Sequence, residues 1–148
     1  MPAIYEHQGI RFMYPENWSV MDEEYDAWPH SVTVQSPQTA FWSLHVYPPR
    51  QEVRPLVKEV VESIQASFPD QELEVLPATD EVADTETKGV DICFFYLDLL
   101  VEARIRTVKT PSATLIWHYQ AESRELEEME QVFRAIATSL LQNQVPVP

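Results

Sequence analysis

Glycine is nearly missing from this chain, with only Gly9 and Gly89 among 148 residues. A phosphate-cradling loop needs several glycines, so that the backbone can take positive φ and approach its ligand closely. A Walker loop, a dinucleotide fingerprint and a GxSxG nucleophile elbow are all absent, which removes most nucleotide-dependent enzymes and the common hydrolases. Cysteine is scarcer still. Cys93 stands alone, so no intrachain disulfide and no CxxC metal site can form, and a reducing cytoplasm is the expected compartment. Basic residues are few: 10 Lys and Arg face 24 Asp and Glu, a formal net charge of −14. That charge repels a phosphate backbone, whose binding depends on cations displacing counterions, so nucleic acid is not an expected partner. No apolar run approaches the roughly 20 residues of a membrane helix, and no membrane partner is expected. The N-terminus, MPAIYEHQG, lacks the basic-then-apolar order of a secretory signal and reads as entering a strand directly.

What is present reads as one domain over residues 1–148, with a patternless tail from Gln142 to Pro148 that is expected to fray. Both glycines fall where hairpins are expected to turn, at Gln8-Gly9 and at Lys88-Gly89. The stretch FMYPENWSV, residues 12–20, ends a strand at Pro15 and reads as a turn closed by a core-anchoring Trp18, not as a ligand pocket. Residues 32–35 and 41–47 read as a further hairpin. The period then changes: Val53, Leu56, Val57, Val60, Val61, Ile64 and Phe68 recur at helical spacing, predicting an amphipathic helix over 53–68. After Leu73–Leu76 and an acidic, poorly patterned stretch at 78–87, three strands are predicted at 89–98, 99–109 and 113–121; the first two could form one long bent strand. A final helix is predicted from Ser123, taken as its N-cap, with Leu126, Met129, Val132, Phe133, Ile136, Ala137 and Leu140 as its apolar stripe.

Four strands alternate between apolar and polar side chains. On 99–109, Leu99, Val101, Ala103 and Ile105 oppose Glu102, Arg104 and Arg106. On 113–121, Leu115, Trp117 and Tyr119 oppose Thr114, His118 and Gln120, with Ile116 as the exception. Trp42, Leu44 and Val46 oppose Ser43 and His45, and two valines oppose Thr33 and Gln35. The expected fold is therefore α+β: a single antiparallel sheet of about five to seven strands, with two long amphipathic helices on its apolar face.

The order of elements, the motif Phe12-Met13-Tyr14-Pro15-Glu16-Asn17-Trp18 and the closing helix ending in Ile136-Ala137-Thr138-Ser139-Leu140 resemble the PsbP-like superfamily. That superfamily includes an extrinsic photosystem II subunit, a Ran-binding nuclear-import cofactor and small bacterial proteins of unknown role. The resemblance covers nearly the whole chain. It implies an α/β/α sandwich and a binding or accessory role in place of catalysis. No functional residue carries over, because the matching positions are structural.

The candidate chemistry is sparse. His7, His30, His45 and His118 sit in no metal-ligand spacing, so no metal and no cofactor is expected. Cys93 lies in an apolar strand with no cation beside it and reads as structural. The acidic run Asp22–Asp26 lacks the spacing and glycine of a calcium loop. Arg104 and Arg106 share a strand face in a strongly acidic chain and could grip a carboxylate or phosphate, with His118 or His45 nearby; the competing reading pairs them with Glu102 and other acids. The expected function is a non-enzymatic binding module that meets a protein partner through a polar sheet face around Arg104, Arg106, Glu102, His45 and His118. The alternative is a small-anion receptor or enzyme using Arg104 and Arg106 with His118. A homodimer formed through that face or an edge strand is a third possibility. No catalytic residue is assigned.

Overall fold

The computed structural model describes residues 2–23 and 30–143. The N-terminal hairpin pairs β1 (Pro2–His7) with β2 (Ile10–Pro15). Gln8 and Gly9 turn it with φ of 49° and 83°, the positive pair that a two-residue type I′ turn demands. Pro15 ends β2, the Trp18 amide donates to the Pro15 carbonyl at 3.0 Å, and the indole is buried edge-on against Phe133 at 5.8 Å. The turn in FMYPENWSV is thus a strand stop and a core anchor. Tyr14 and Pro15 also border a shallow apolar groove of about 550 Å³ against the final helix.

The remaining strands are β3 (Ser19–Glu23), β4 (His30–Gln35), β5 (Phe41–Tyr47), β6 (Glu74–Val82), β7 (Thr85–Tyr96), β8 (Leu99–Lys109) and β9 (Thr114–Glu122). They form one antiparallel sheet in the order β3-β4-β5-β9-β8-β7-β6. Helix α1 (Val53–Ser67) connects β5 to β6, and α2 (Ser123–Gln142) ends the described chain. The expectation of a single sheet is corrected: β1 and β2 stand apart as a two-stranded sheet beside the seven-stranded one.

The expectation that both helices share one apolar face is also corrected, and the reason is register. Ile105 of β8 lies opposite His118 of β9, while Arg106 lies opposite Trp117. Alternation fixes which residues of one strand share a face, but register decides whose faces coincide. The apolar side of β8 therefore continues the polar side of β9. Two cores result, one on each face. Phe12, Trp42, Leu44, Leu115, Trp117, Phe133, Ile136 and Leu140 fill the one under α2 and the β1–β2 hairpin. Val60, Ile64, Ile92, Phe94, Ala103, Ile105 and Ile116 fill the one under α1. Ile116 breaks the alternation of its strand because it faces the second core.

The helices are held unequally. Only Val60 and Ile64 of α1 are fully buried, at about 1.5–3 kcal/mol each, with Leu56, Val57 and Val61 half-buried beside them. Helix α2 fully buries Leu126, Phe133, Ile136, Leu140 and Leu141, so it is the stronger anchor. Its N-cap is Glu122, not Ser123: the Glu122 carboxylate accepts from the Arg124 and Glu125 amides. Buried Glu125 ties the helix start to the β4–β5 loop, accepting from the Thr39 amide at 2.9 Å, the Thr39 hydroxyl and the Ser36 hydroxyl at 2.9 Å. Gly89 is not a turn residue either. It lies inside β7, where a Cβ would fall 1.7 Å from the Ile105 carbonyl oxygen. Glycine is required there by close backbone approach.

Candidate functional site

Arg104, Arg106 and Glu102 point to the α2 side of the sheet; His45 and His118 point to the α1 side, because His118 is paired with Ile105 and with Ser43. The single polar face expected to hold all five does not exist. Each group therefore has its own neighbours and its own chemistry.

The arginines are taken up by acids from other elements. Arg106, 3% exposed, donates from Nε to Asp80 Oδ2 at 2.8 Å and from Nη2 to Asp91 Oδ1 at 2.7 Å. Its Nη1 donates to the Val90 and Ile105 carbonyls. Burial alone would lower this guanidinium's pKa, but the bonds to Asp91 and Asp80 outweigh it and raise it. Arg104 Nη1 reaches both carboxylate oxygens of Glu130 on α2 at 2.6 Å. For Arg104 too, desolvation is overcome, here by Tyr119 and Glu130, and the pKa rises. A free anion would have to displace these carboxylates. The guanidiniums instead fasten β6, β7 and α2 to β8. Half-buried Glu102 lies across the strands from Cys93 and Ala121 and borders a recess with Arg104, Ser123 and Glu127. Cys93 itself is half-buried, and burial, then the Glu74 and Glu102 charges, push its thiol pKa up. A thiol so placed is a poor nucleophile. Of the acidic run Asp22–Asp26, Asp22 accepts from the Tyr5 hydroxyl at 2.8 Å, and residues 24–26 lie outside the described residues.

The histidines form a chain of a different kind. Ser31 Oγ lies 2.8 Å from His45 Nδ1, and His45 Nε2 lies 3.3 Å from His118 Nδ1. The two rings stack at 5.3 Å with a 10° tilt, and Phe41 meets His118 edge-on at 5.5 Å. Thr33 Oγ1 and Ser43 Oγ share a 2.6 Å hydrogen bond beside them. Burial lowers the His45 pKa to about 4; burial and then the His45 charge lower His118 to about 3. Both imidazoles are neutral at pH 7. Neutral rings linked nitrogen to nitrogen must all donate in one direction, so the last nitrogen of His118 is either a donor or an acceptor according to which way the chain runs. The sequence pattern points to the two histidines but not to Ser31, because the clear alternation begins at Val32, two residues after β4 starts at His30.

This polar strip lies on a part of the sheet that neither described helix roofs. Helix α1 packs on β8 and β9. Over β3, β4 and β5 the same side presents Met21, 57% exposed, exposed Gln35, and half-buried Ser31, Thr33, Phe41 and His45. Among the described residues no group of three or more His, Cys, Asp or Glu side chains is placed to hold a metal ion. No described helix is long and apolar enough to cross a membrane.

No family model matches the chain, and no curated protein matches it. Solved structures do. The solution structure of cyanobacterial PsbP (CyanoP) from Synechocystis sp. PCC 6803 superposes with a TM-score of 0.63 at 12% identity, over 93% of this chain and 90% of that one. PA94 of Pseudomonas aeruginosa, described as a protein of unknown function and putative regulator, matches with a TM-score of 0.47 at 14% identity over 99% of this chain and 98% of its own. LpqN of Mycobacterium tuberculosis, involved in cell envelope biogenesis, gives 0.39 at 10% identity over 100% of this chain and 85% of its own. The chain has a PsbP-like fold.

Proposed function

We propose that this chain is a non-enzymatic binding module that meets a protein partner with the open α1-side face of β3, β4, β5 and β9, with His45 and His118 at its centre. One observation carries the reading: among the described residues the centre of this face, Ser31, Thr33, His45 and His118, is half-exposed, carries no charged side chain, and is rich in groups that both donate and accept. Neutral imidazoles offer a phosphate or carboxylate no cation, which disfavours the small-anion alternative. A base with a pKa near 4 is also far from the near-neutral value that proton transfer at pH 7 favours. Four strands at about 4.8 Å spacing and six residues at about 3.3 Å give a face of roughly 19 by 20 Å. Counted on both partners that is about 760 Å², below the roughly 1,200 Å² at which stable specific interfaces begin, and so it suits a weak, transient partner and not an obligate one. The half-buried thiol of Cys93 fits a reducing compartment, and we place the module in the cytoplasm.

The test is capture of partners from native lysate by wild type and by the Met21→Arg/Gln35→Arg double variant. Both positions are exposed, so the fold is unaffected and circular dichroism should be unchanged. A partner held by wild type and lost by the variant supports the face. One held equally by both contradicts it, and one that proves to be the chain itself makes the face a dimer contact.

A further inference from the structure

The hairpin joining β7 to β8 runs past the end of β9: Val101 pairs with Glu122, while β7 and β8 continue to Tyr96 and Leu99. Its tip is apolar, and of its side chains Tyr96 meets Phe68 edge-on at 5.0 Å. Phe95 is 65% exposed and Leu97 77%, and Tyr96 and Leu99 are exposed as well. With Val75 and Leu76 of edge strand β6, six of the ten exposed large hydrophobic side chains among the described residues lie on this outer part of the sheet, Val75, Tyr96 and Leu99 on its α1 side and Leu76 and Phe95 on its α2 side. Scattered singly they would need no explanation; gathered, they mark an interaction site.

Register places Leu76, Cys93, Phe95 and Leu100 on the α2 side, with Phe95 and Leu100 past the last β8–β9 pair and Leu76 level with Arg104. A shallow recess of about 550 Å³ lies there, bordered by Cys93, Phe95, Leu100, Glu72 and Glu74. The turn is an unfavourable home for its residues. Leu97 and Asp98 take φ of 50° and 64°, the type I′ positions where Asn and Gly are preferred and a bulky side chain is uncommon. A leucine held there with its side chain in solvent contributes nothing to the core. The rim is mostly acidic: residues 71–80 and 91–103 contain no Lys or Arg, Glu72, Glu74, Asp98 and Glu102 border the apolar surface, and Arg104 beside Glu102 is held by Glu130.

We propose that this corner docks an apolar, basic segment of a partner protein, an amphipathic helix whose apolar side chains seat on Phe95, Leu97 and Leu100 while its lysines or arginines meet Glu74, Asp98 and Glu102. The other occupants fit less well. A second copy would bring the same carboxylates together across a two-fold axis. An anionic membrane repels a chain of net charge −14. Strand addition to β6 is opposed by Pro77, which has no amide to donate, in the middle of that edge. The seat at Phe95 and Leu100 lies on the opposite side of the sheet from the histidine strip, so the two readings stand or fall separately.

The probe is a fluorescein-labelled Leu–Lys amphipathic helix, followed by anisotropy and by amide shift mapping on the ¹⁵N-labelled full chain. Controls are the same composition scrambled to destroy the apolar face, and a Leu–Glu helix. The expected result is binding of the Leu–Lys helix alone, with shifts at Leu76, Phe95–Leu100 and Glu102. Leu97→Asn, which suits the turn and so preserves the fold, should weaken it at least tenfold, while Met21→Arg/Gln35→Arg leaves it unchanged. Equal binding of the scrambled peptide, shifts elsewhere on the acidic surface, or an unchanged Leu97→Asn would overturn the proposal. A dimer seen by sedimentation and abolished by Leu97→Asn would overturn it in favour of a second copy. Binding to phosphatidylglycerol vesicles that Leu97→Asn abolishes would assign the corner to membranes instead.

Discussion

Arg106→Met removes a buried cation while keeping the apolar stem that packs under it. Truncating one member of a buried pair costs about 3–5 kcal/mol, mostly because the other charge is left without its partner. Here the abandoned groups are Asp80 and Asp91, whose side chains are 37% and 45% exposed, so water replaces part of what the guanidinium gave. Discounting for that screening gives about 2–3 kcal/mol. In urea unfolding followed by circular dichroism this is a midpoint shift of about 1–2 M, since the slope for a domain of this size is about 1–3 kcal/mol per M. Asp80→Asn and Asp91→Asn should each cost about 1–2 kcal/mol. The double variant should exceed their sum by about 1 kcal/mol or more, because it leaves the guanidinium with only the Val90 and Ile105 carbonyls. A loss below about 0.5 kcal/mol in Arg106→Met, or strict additivity of the aspartate variants, would refute the claim that this cluster holds β6 and β7 to β8. Charge reversal at Arg106 would test folding and not binding, since it would place a third carboxylate between two others.

Further outcomes follow from the same contacts. His45 and His118 are held below the ordinary 6.5, so the unfolded chain binds more protons between pH 6.5 and about 4. Their contribution is complete above pH 6.5 and falls as pH drops. Moving from pH 7.5 to 5 should cost about 1–2 kcal/mol per histidine, and urea midpoints of His45→Gln/His118→Gln should show a flatter pH slope than wild type. An identical slope would contradict the burial of the pair. Gly89→Ala drives a Cβ into the Ile105 carbonyl and should cost at least about 3 kcal/mol or prevent folding, read as loss of the thermal transition. Glu125→Gln keeps its shape but turns an acceptor of three hydrogen bonds into a mixed donor and acceptor. It should lose about 1.5–3 kcal/mol by urea unfolding.

The fold was largely legible where the period was strong. The strand at 41–47, the strand at 99–109 and both helices stand within two residues of their expected bounds. The hairpins were harder, because in a chain with two glycines the turns use other residues. Ala83-Asp84 and Leu97-Asp98 take the positive-φ pairs that Asn-Gly usually announces. Residues 78–87 therefore read as an acidic loop, although β6 and β7 meet there, and 89–109 could be taken for one bent strand. Gly89 misled in the opposite sense, since close packing and not a turn requires it. The site was half legible. Alternation put Arg104 with Arg106, and His118 on the polar side of its own strand. The register between β8 and β9, which sets those polar sides on opposite faces, depends on Ile105 meeting His118, and no local pattern encodes that pairing. Nor could sequence say that Asp80 and Asp91, 26 and 15 residues before Arg106, would occupy it.

The most direct test of the binding-module reading is site-specific photo-crosslinking in living cells. A benzophenone side chain would replace Gln35, exposed on the open face, and, as control, Gln131, exposed on α2 across the sheet. A discrete protein adduct from position 35, absent from position 131 and lost on adding His45→Gln/His118→Gln to a chain that still folds, is the predicted result. No adduct at position 35, or the same adduct from both positions, would contradict it.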